Sequence, residues 1–275
     1  MSTPISATEY QSFSRFLEQA CGILLGENKQ YLVSSRLQRL MDSVGIENLG
    51  ELTKKLERGD LGLRGKIVDA MTTNETLWFR DAHPFKIFSN EILPACAKER
   101  TRPVRIWSAA CSSGQEPYSL SMISQEYIQS NPGALARDVE IVATDISKSI
   151  LAQAKQAQYD KLSLARGMPD DRLRRFFQKK GDLWEVRPEI SRRVRFSELN
   201  LMQSFATLGR FDTIFCRNVL IYFSAELKRD IIARMAKALN PGGHLFLGSS
   251  ESIAGHSDDF TMVRSGGAVY YKLKD

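Results

Sequence analysis

The spacing of apolar residues along the chain changes character twice. Over residues 5–20, Tyr10, Phe13, Phe16, Leu17 and Ala20 recur at helical intervals with Glu9, Arg15 and Glu18 between them, which predicts a short amphipathic helix. Lys29 to Val44 repeats the pattern, with Val33, Leu37, Leu40, Met41 and Val44 on one stripe, Arg36 and Arg39 off it, and Gly45 as a stop. Two more helical pieces are expected, around Leu49–Glu57 and Leu61–Met71. Residues 1–72 therefore read as an all-α N-terminal domain. The sequence M-T-T-N-E-T-L-W-F-R-D at 71–81 then sets hydrogen-bonding side chains beside two large aromatics, and 73–82 reads as a linker that closes over a ligand. Its alternative reading is an anchored linker whose aromatics are core.

From His83 a helix through Phe85, Ile87 and Phe88 is expected to reach about Cys96. Beyond it, short apolar runs alternate with helical stretches. Strands are expected at Val104–Ala110, 139–145, 193–201, 211 to about Cys216, and His244–Leu247. Helices are expected at about 116–130, Ser147–Ala157 and Ala225–Leu239, the last ended by N-P-G-G at 240–243. The tail, F-T-M-V-R and A-V-Y-Y-K-L around S-G-G, reads as a hairpin. The alternation breaks over about 158–192, which predicts a small inserted β-subdomain made of a helix and a short hairpin. It carries Arg166, Arg172, Arg174, Arg175, Lys179, Lys180, Arg187, Arg192 and Arg193, and insertions on a rigid scaffold often serve partner recognition. The expected fold class is α/β. Residues 83–275 form a Rossmann-like domain of five parallel strands followed by an antiparallel pair, the class I methyltransferase pattern.

The chemistry gathers where strands end. V-R-I-W-S-A-A-C-S-S-G-Q-E-P-Y-S-L, residues 104–120, runs from a strand through small residues into a helix with Pro117 in its first turn. Such a turn lets backbone approach a nucleotide. A pyrophosphate-binding turn wants three glycines, and only Gly114 is present. A phosphate-free nucleoside such as S-adenosylmethionine fits better. Asp145 falls at the tip of the second strand, where a ribose diol would donate to its two oxygens. Arg217, Asn218, Val219 and Tyr222 fall just past the fourth strand.

Composition narrows the field. The 275 residues carry a formal charge of +6, which permits an acidic partner, although a solvated basic face on the second helix explains Arg36 and Arg39 equally well. The four cysteines and three histidines are scattered, so neither a metal site nor a disulfide framework is expected, and the thiols read as reduced in a cytoplasmic protein. No apolar run is long enough to cross a membrane, and the N-terminus lacks the pattern of a signal peptide.

Five motifs in order, M-T-T-N-E-T-L-W-F-R, R-I-W-S-A-A-C-S-S-G-Q-E-P-Y-S, A-T-D-I-S, N-L and F-C-R-N-V-L-I-Y-F, resemble those of the CheR family, the chemotaxis receptor glutamate O-methyltransferases. The resemblance covers nearly the whole chain. It implies S-adenosyl-L-methionine as cofactor, S-adenosyl-L-homocysteine as product, and glutamates on the cytoplasmic helical domain of methyl-accepting chemotaxis receptors as substrate. It implies cofactor contacts from Asn74, Thr76, Arg80, Glu116, Asp145, Asn200, Leu201, Asn218 and Val219. Arg80 and Tyr222 would flank the reacting centre, and Arg36 and Arg39 would face the receptor. Family members can also tether a receptor C-terminal peptide on the β-subdomain; the stretch between Phe177 and Val186 is short beside the tethering members. A glutamate is already ionised at neutral pH, so the reaction needs alignment and not a general base.

Three rival readings stand beside this one. A nucleic-acid methyltransferase suits the basic charge, but enzymes that methylate exocyclic amines often carry N-P-P-Y where this chain has R-N-V-L-I-Y. A dinucleotide oxidoreductase lacks its glycines. A non-catalytic regulator that binds the nucleoside and a receptor would be separated by labelled methyl transfer.

Overall fold

The computed structural model describes residues 5–99 and 102–274. Four helices come first: α1 (Ala7–Cys21), α2 (Gln30–Ser43), α3 (Leu49–Glu57) and α4 (Leu61–Met71). Their ends are set by local chemistry. Ser6 and Glu9 form a reciprocal capping box on α1, Asn48 caps α3 and Asp60 caps α4, each side chain accepting from an otherwise unpaired N–H. Gly22 ends α1 at φ 78°, a conformation that favours glycine. The apolar stripes meet in a separate core built on Phe13, Leu17, Val33, Leu37, Leu52 and Ile67.

After the linker, α5 (His83–Ile87), a π-helical turn (Phe88–Ile92) and α6 (Leu93–Glu99) run on from one another. The alternation then proceeds as β1 (Arg105–Ala109), α7 (Gln115–Ser130), β2 (Glu140–Asp145) and α8 (Lys148–Gln156). The insertion holds β3 (Gln158–Tyr159), α9 (Lys161–Ala165), α10 (Asp170–Phe176), β4 (Phe177–Lys180), β5 (Leu183–Val186) and α11 (Pro188–Ser191). The main sheet resumes with β6 (Val194–Glu198), β7 (Phe211–Cys216), α12 (Ala225–Ala238), β8 (Leu239–Leu247), β9 (Phe260–Ser265) and β10 (Ala268–Leu273).

The main sheet has the order β6-β2-β1-β7-β8-β10-β9. Its first five members are parallel, while β10 runs antiparallel to both β8 and β9. Successive residues of a strand point to opposite faces, so Ile106 joins the core under α5–α7 while Trp107 and Ala109 join the core under α12. The order reverses between β2-β1 and β7-β8. The crevice outside the carboxyl ends of those strands is where a doubly wound sheet binds its ligand.

Two expectations need correction. N-P-G-G does not separate α12 from its strand, because extended backbone already begins at Leu239, which is buried and pairs with Phe211. The pairing then jumps to Thr213 with His244, so residues 240–243 bulge out of the ladder, as a proline without an N–H requires. The insertion is larger than a helix and hairpin. Ala157, at φ 54°, turns the chain out of α8, and Gln158–Tyr159 adds a third strand, giving the antiparallel order β3-β5-β4.

Much of the insertion's basic charge fastens it down. Arg172 bonds both oxygens of Glu126 at 2.9 and 2.8 Å, Arg175 reaches Glu126 and Gln129 on the same helix, and Arg166 pairs with Glu75 of the linker. Lys179 and Lys180 stay exposed.

Candidate functional site

The carboxyl ends of β1, β2 and β7 open into a cavity of about 240 Å3 that the linker and the N-terminal domain close from above. Its floor begins at the β1 turn. Ala110 at φ 59°, Ser112 at φ 50° and Gly114 at φ 95° curl the chain so that its N–H groups turn back toward β2. A Cβ on Gly114 would lie 3.0 Å from the Tyr159 hydroxyl and 3.1 Å from the Tyr118 ring, so α7 packs at a distance only glycine permits. The Ser112 N–H donates to Asp145 Oδ2 at 2.8 Å and the Ser147 N–H to Oδ1 at 3.0 Å. Burial pushes the Asp145 carboxyl above its ordinary range, and these backbone donors oppose that shift. Each oxygen retains a lone pair for a further donor.

The far end of the cavity is built from charge. Glu116, at the start of α7, accepts from Ser108 Oγ at 2.7 Å and from Arg217 Nη1 at 3.3 Å. Burial raises its pKa, opposed by Arg217, Ser108 and Arg80. Arg80 lies in a turn where Phe79, Asp81 and Ala82 have φ of 48°, 65° and 49°. Left-handed backbone costs a side-chain-bearing residue on the order of 1 kcal/mol or more, so this turn persists only because its surroundings hold it. Phe79 N–H donates to Ser119 Oγ at 3.2 Å, and Arg217 Nη2 donates to the Arg80 carbonyl at 3.0 Å and to Asp81 Oδ2 at 2.6 Å.

The linker combines both expectations made for it. Trp78 is core, edge-on to Tyr159 at 4.8 Å and Phe177 at 5.5 Å, while Asn74, Thr76 and Arg80 line the cavity. Glu116, Asp145, Asn200, Leu201, Asn218, Val219 and Tyr222 line it too. The Asn200 side chain is engaged elsewhere, donating to the Ala20 carbonyl at 2.9 Å and accepting from the Met202 N–H, so it ties α1 to the sheet. Arg36 and Arg39 part company. Arg36 reaches inward to the Met71 and Thr72 carbonyls at 2.5 and 3.2 Å and to Thr73 Oγ1 at 2.9 Å, and so forms cavity wall. Arg39 is exposed and outside the lining.

Several contributors carried no assigned role in the sequence reading. The sequence places Arg217 past the fourth strand but assigns it no task. Ser112 and Ser108 read only as small residues of a turn. The Ile23–Gly26 loop enters the lining because Leu24 N–H donates to the Tyr222 carbonyl at 2.9 Å, a contact across some 200 residues with no local signal. Glu251 receives the Asn218 and Gly248 N–H groups, both at 2.7 Å, and fixes Asn218 at φ 60°. The Cys111 thiol is pushed well up by burial, with Asp145 and Glu116 adding to the shift, and stays protonated at neutral pH.

No histidine is among the described residues that line the cavity, and no group of three or more His, Cys, Asp or Glu among them is arranged to hold a metal ion. Two polar atoms of lining residues, Arg217 Nε and Asn218 Oδ1, are buried without a partner. With the free lone pairs of Asp145, they make a polar seat suited to a nucleoside and an amino-acid end. No helix among the described residues is long and apolar enough to cross a membrane.

Comparison with known proteins agrees along the whole length. The family model for the CheR methyltransferase all-alpha domain matches residues 8–72, and that for the CheR methyltransferase SAM binding domain matches residues 74–269. The chain is 52% identical over 271 residues to the chemotaxis protein methyltransferase Cher2 of Pseudomonas putida, covering 97% of this chain and 98% of that one. It is 53% identical over 268 residues to chemotaxis protein methyltransferase 1 of Pseudomonas aeruginosa, with the same coverage. It is 33% identical over 276 residues to the chemotaxis protein methyltransferase of Escherichia coli, covering 98% and 93%. The chain belongs to the CheR methyltransferase family and is an S-adenosylmethionine-dependent methyltransferase.

Proposed function

We propose that the protein methylates glutamate side chains on the cytoplasmic helical domain of methyl-accepting chemotaxis receptors, giving methyl esters, and that it works in the cytoplasm. The observation that carries this reading is the charge cluster at one end of the cavity, where guanidinium groups can hold carboxylates, with no histidine among the described residues that line it. A glutamate at neutral pH needs no deprotonation. When bound, S-adenosylmethionine supplies an electrophilic methyl group on a sulfonium.

The residues divide the remaining work. Asp145 takes the ribose hydroxyls and Glu116 the ammonium of the amino-acid end. Asn74, Thr76, Leu201, Asn218 and Val219 complete the walls. Arg80 presents a fork that pairs with a carboxylate, either the amino-acid end or the incoming glutamate, and Tyr222 borders the same space. Ile23, Leu24 and Leu25 close the cavity with apolar side chains and limit water around the nucleophile, which strengthens every electrostatic contact inside.

The test is transfer of labelled methyl from S-adenosylmethionine to a receptor cytoplasmic fragment and, in parallel, to RNA. Label on the receptor that is released by mild base, and lost when the accepting glutamates become alanine, is expected. Base-stable label, or label on RNA alone, would overturn the assignment.

A further inference from the structure

Arg217 is the most enclosed charged side chain of the site, with 2% of its side chain exposed, and nothing in the reaction described so far requires it. Its contacts nevertheless join two separate segments at the charged end of the site. Nη1 points to Glu116 Oε2. Nη2 points to the Arg80 carbonyl and Asp81 Oδ2. The Phe85 ring lies 5.7 Å from the guanidinium carbon and fixes the plane from one side. A guanidinium offers five donors in a rigid plane, so it can serve acceptors on two separate segments at once in a fixed geometry.

The segments it serves are unlike. Glu116 sits on the first turn of α7, in a frame set by the sheet. Arg80 and Asp81 sit in the strained turn of the linker. The arginine therefore ties a turn that would otherwise relax to a carboxylate that the sheet holds still.

We propose that Arg217 is a positioning residue: it registers the Arg80 turn against the cofactor-facing Glu116, so that the reacting carboxylate is presented at a fixed place relative to the bound cofactor. This deepens the reading given under Proposed function and rests on it. Binding draws on the Glu116 half of the contact, and turnover draws on the Arg80–Asp81 half. A small displacement of a positioned group is enough to cost about 100-fold in rate.

Three variants separate the halves: Arg217→Lys, Arg217→Gln and Asp81→Asn. Each is assayed for receptor methylation, for S-adenosylhomocysteine binding by calorimetry, and for melting temperature. Lysine keeps the charge beside Glu116 but cannot bridge, so Arg217→Lys should lose about tenfold or more in kcat while product affinity stays within about threefold. Asp81→Asn, at a side chain 38% exposed, weakens the same contact from the turn's side while leaving Arg217 itself in place, and should show the same split. Combining the two should add almost nothing beyond the larger single loss, because both break one contact. Arg217→Gln should lose affinity as well as turnover.

The proposal is overturned if Asp81→Asn and Arg217→Lys retain kcat within twofold, or if their losses multiply in the double variant. It is also overturned if product affinity falls in proportion to kcat in both. Should Arg217→Lys fail to fold, the Asp81→Asn result alone decides. If the unaltered enzyme transfers no methyl to receptor, the functional reading has failed; if it transfers normally and the variants do too, only the positioning role has.

Discussion

The two ends of the cavity are made by different means. At the tips of β1 and β2 the wall is backbone: N–H groups of Ser112 and Ser147 converge on one buried carboxylate, Asp145, and Gly114 lets the turn lie close against Tyr159 and Ala154. At the linker and the tip of β7 the wall is charge: Arg80, Asp81, Glu116 and Arg217 within one network, on a turn with three residues in left-handed backbone. Both ends hold left-handed backbone, the first through N–H groups on a buried carboxylate and the second through ion pairs. The difference points to a division of labour in which the backbone-built end recognises the nucleoside and the charged end governs the reaction.

Removing Arg80 should have the largest effect. Arg80→Ala is expected to lower methyl transfer by about 100-fold or more, in the range seen when one preorganised charged donor is removed from a reacting centre. Its melting temperature should stay near that of the unaltered protein, because the side chain makes a single long hydrogen bond, 3.3 Å to the Glu75 carbonyl. Near-normal transfer would erase the contrast between the two ends.

The N-terminal domain sharpens the comparison through a smaller effect. Arg36 bonds three acceptors at the start of the linker, so Arg36→Ala should cost about 1–2 kcal/mol of stability, read as a melting shift of several degrees. Arg39 is exposed and should leave stability within about 0.5 kcal/mol. Arg39→Glu should instead raise the KM for receptor a fewfold, more at low salt than at high, with cofactor affinity unchanged. If the two variants behave alike in melting and in KM, the inward and outward roles given to these arginines are wrong.

What could be read from the sequence was whatever one stretch of chain decides. The α3 and α4 limits, the five-strand alternation and Asp145 at its strand tip all follow from periodicity and short-range turn chemistry. Relations between distant stretches could not be read. Arg36 lies off its helix stripe in the sequence, and nothing local says that it meets residues 71–73. Asn200 lines the cavity as expected, but nothing local says that its side chain also bonds the Ala20 carbonyl of α1. The basic run of the insertion looks like a docking surface until Glu126, back on α7, is found to pair with Arg172 and Arg175. The third inserted strand has only two residues, too few for a period to show. Arg217 needed three partners on two distant segments before its place had meaning.

The central claim is that a phosphate-free nucleoside lies over the tips of β1 and β2 with its ribose on Asp145. Calorimetric titration with S-adenosylhomocysteine, on the unaltered protein and on Asp145→Ala, tests it most directly. One site per chain is expected, weakened about tenfold or more by the substitution, the scale of losing charged hydrogen bonds in a buried seat. Absence of binding heat in the unaltered protein, or equal affinity in the two, would contradict it.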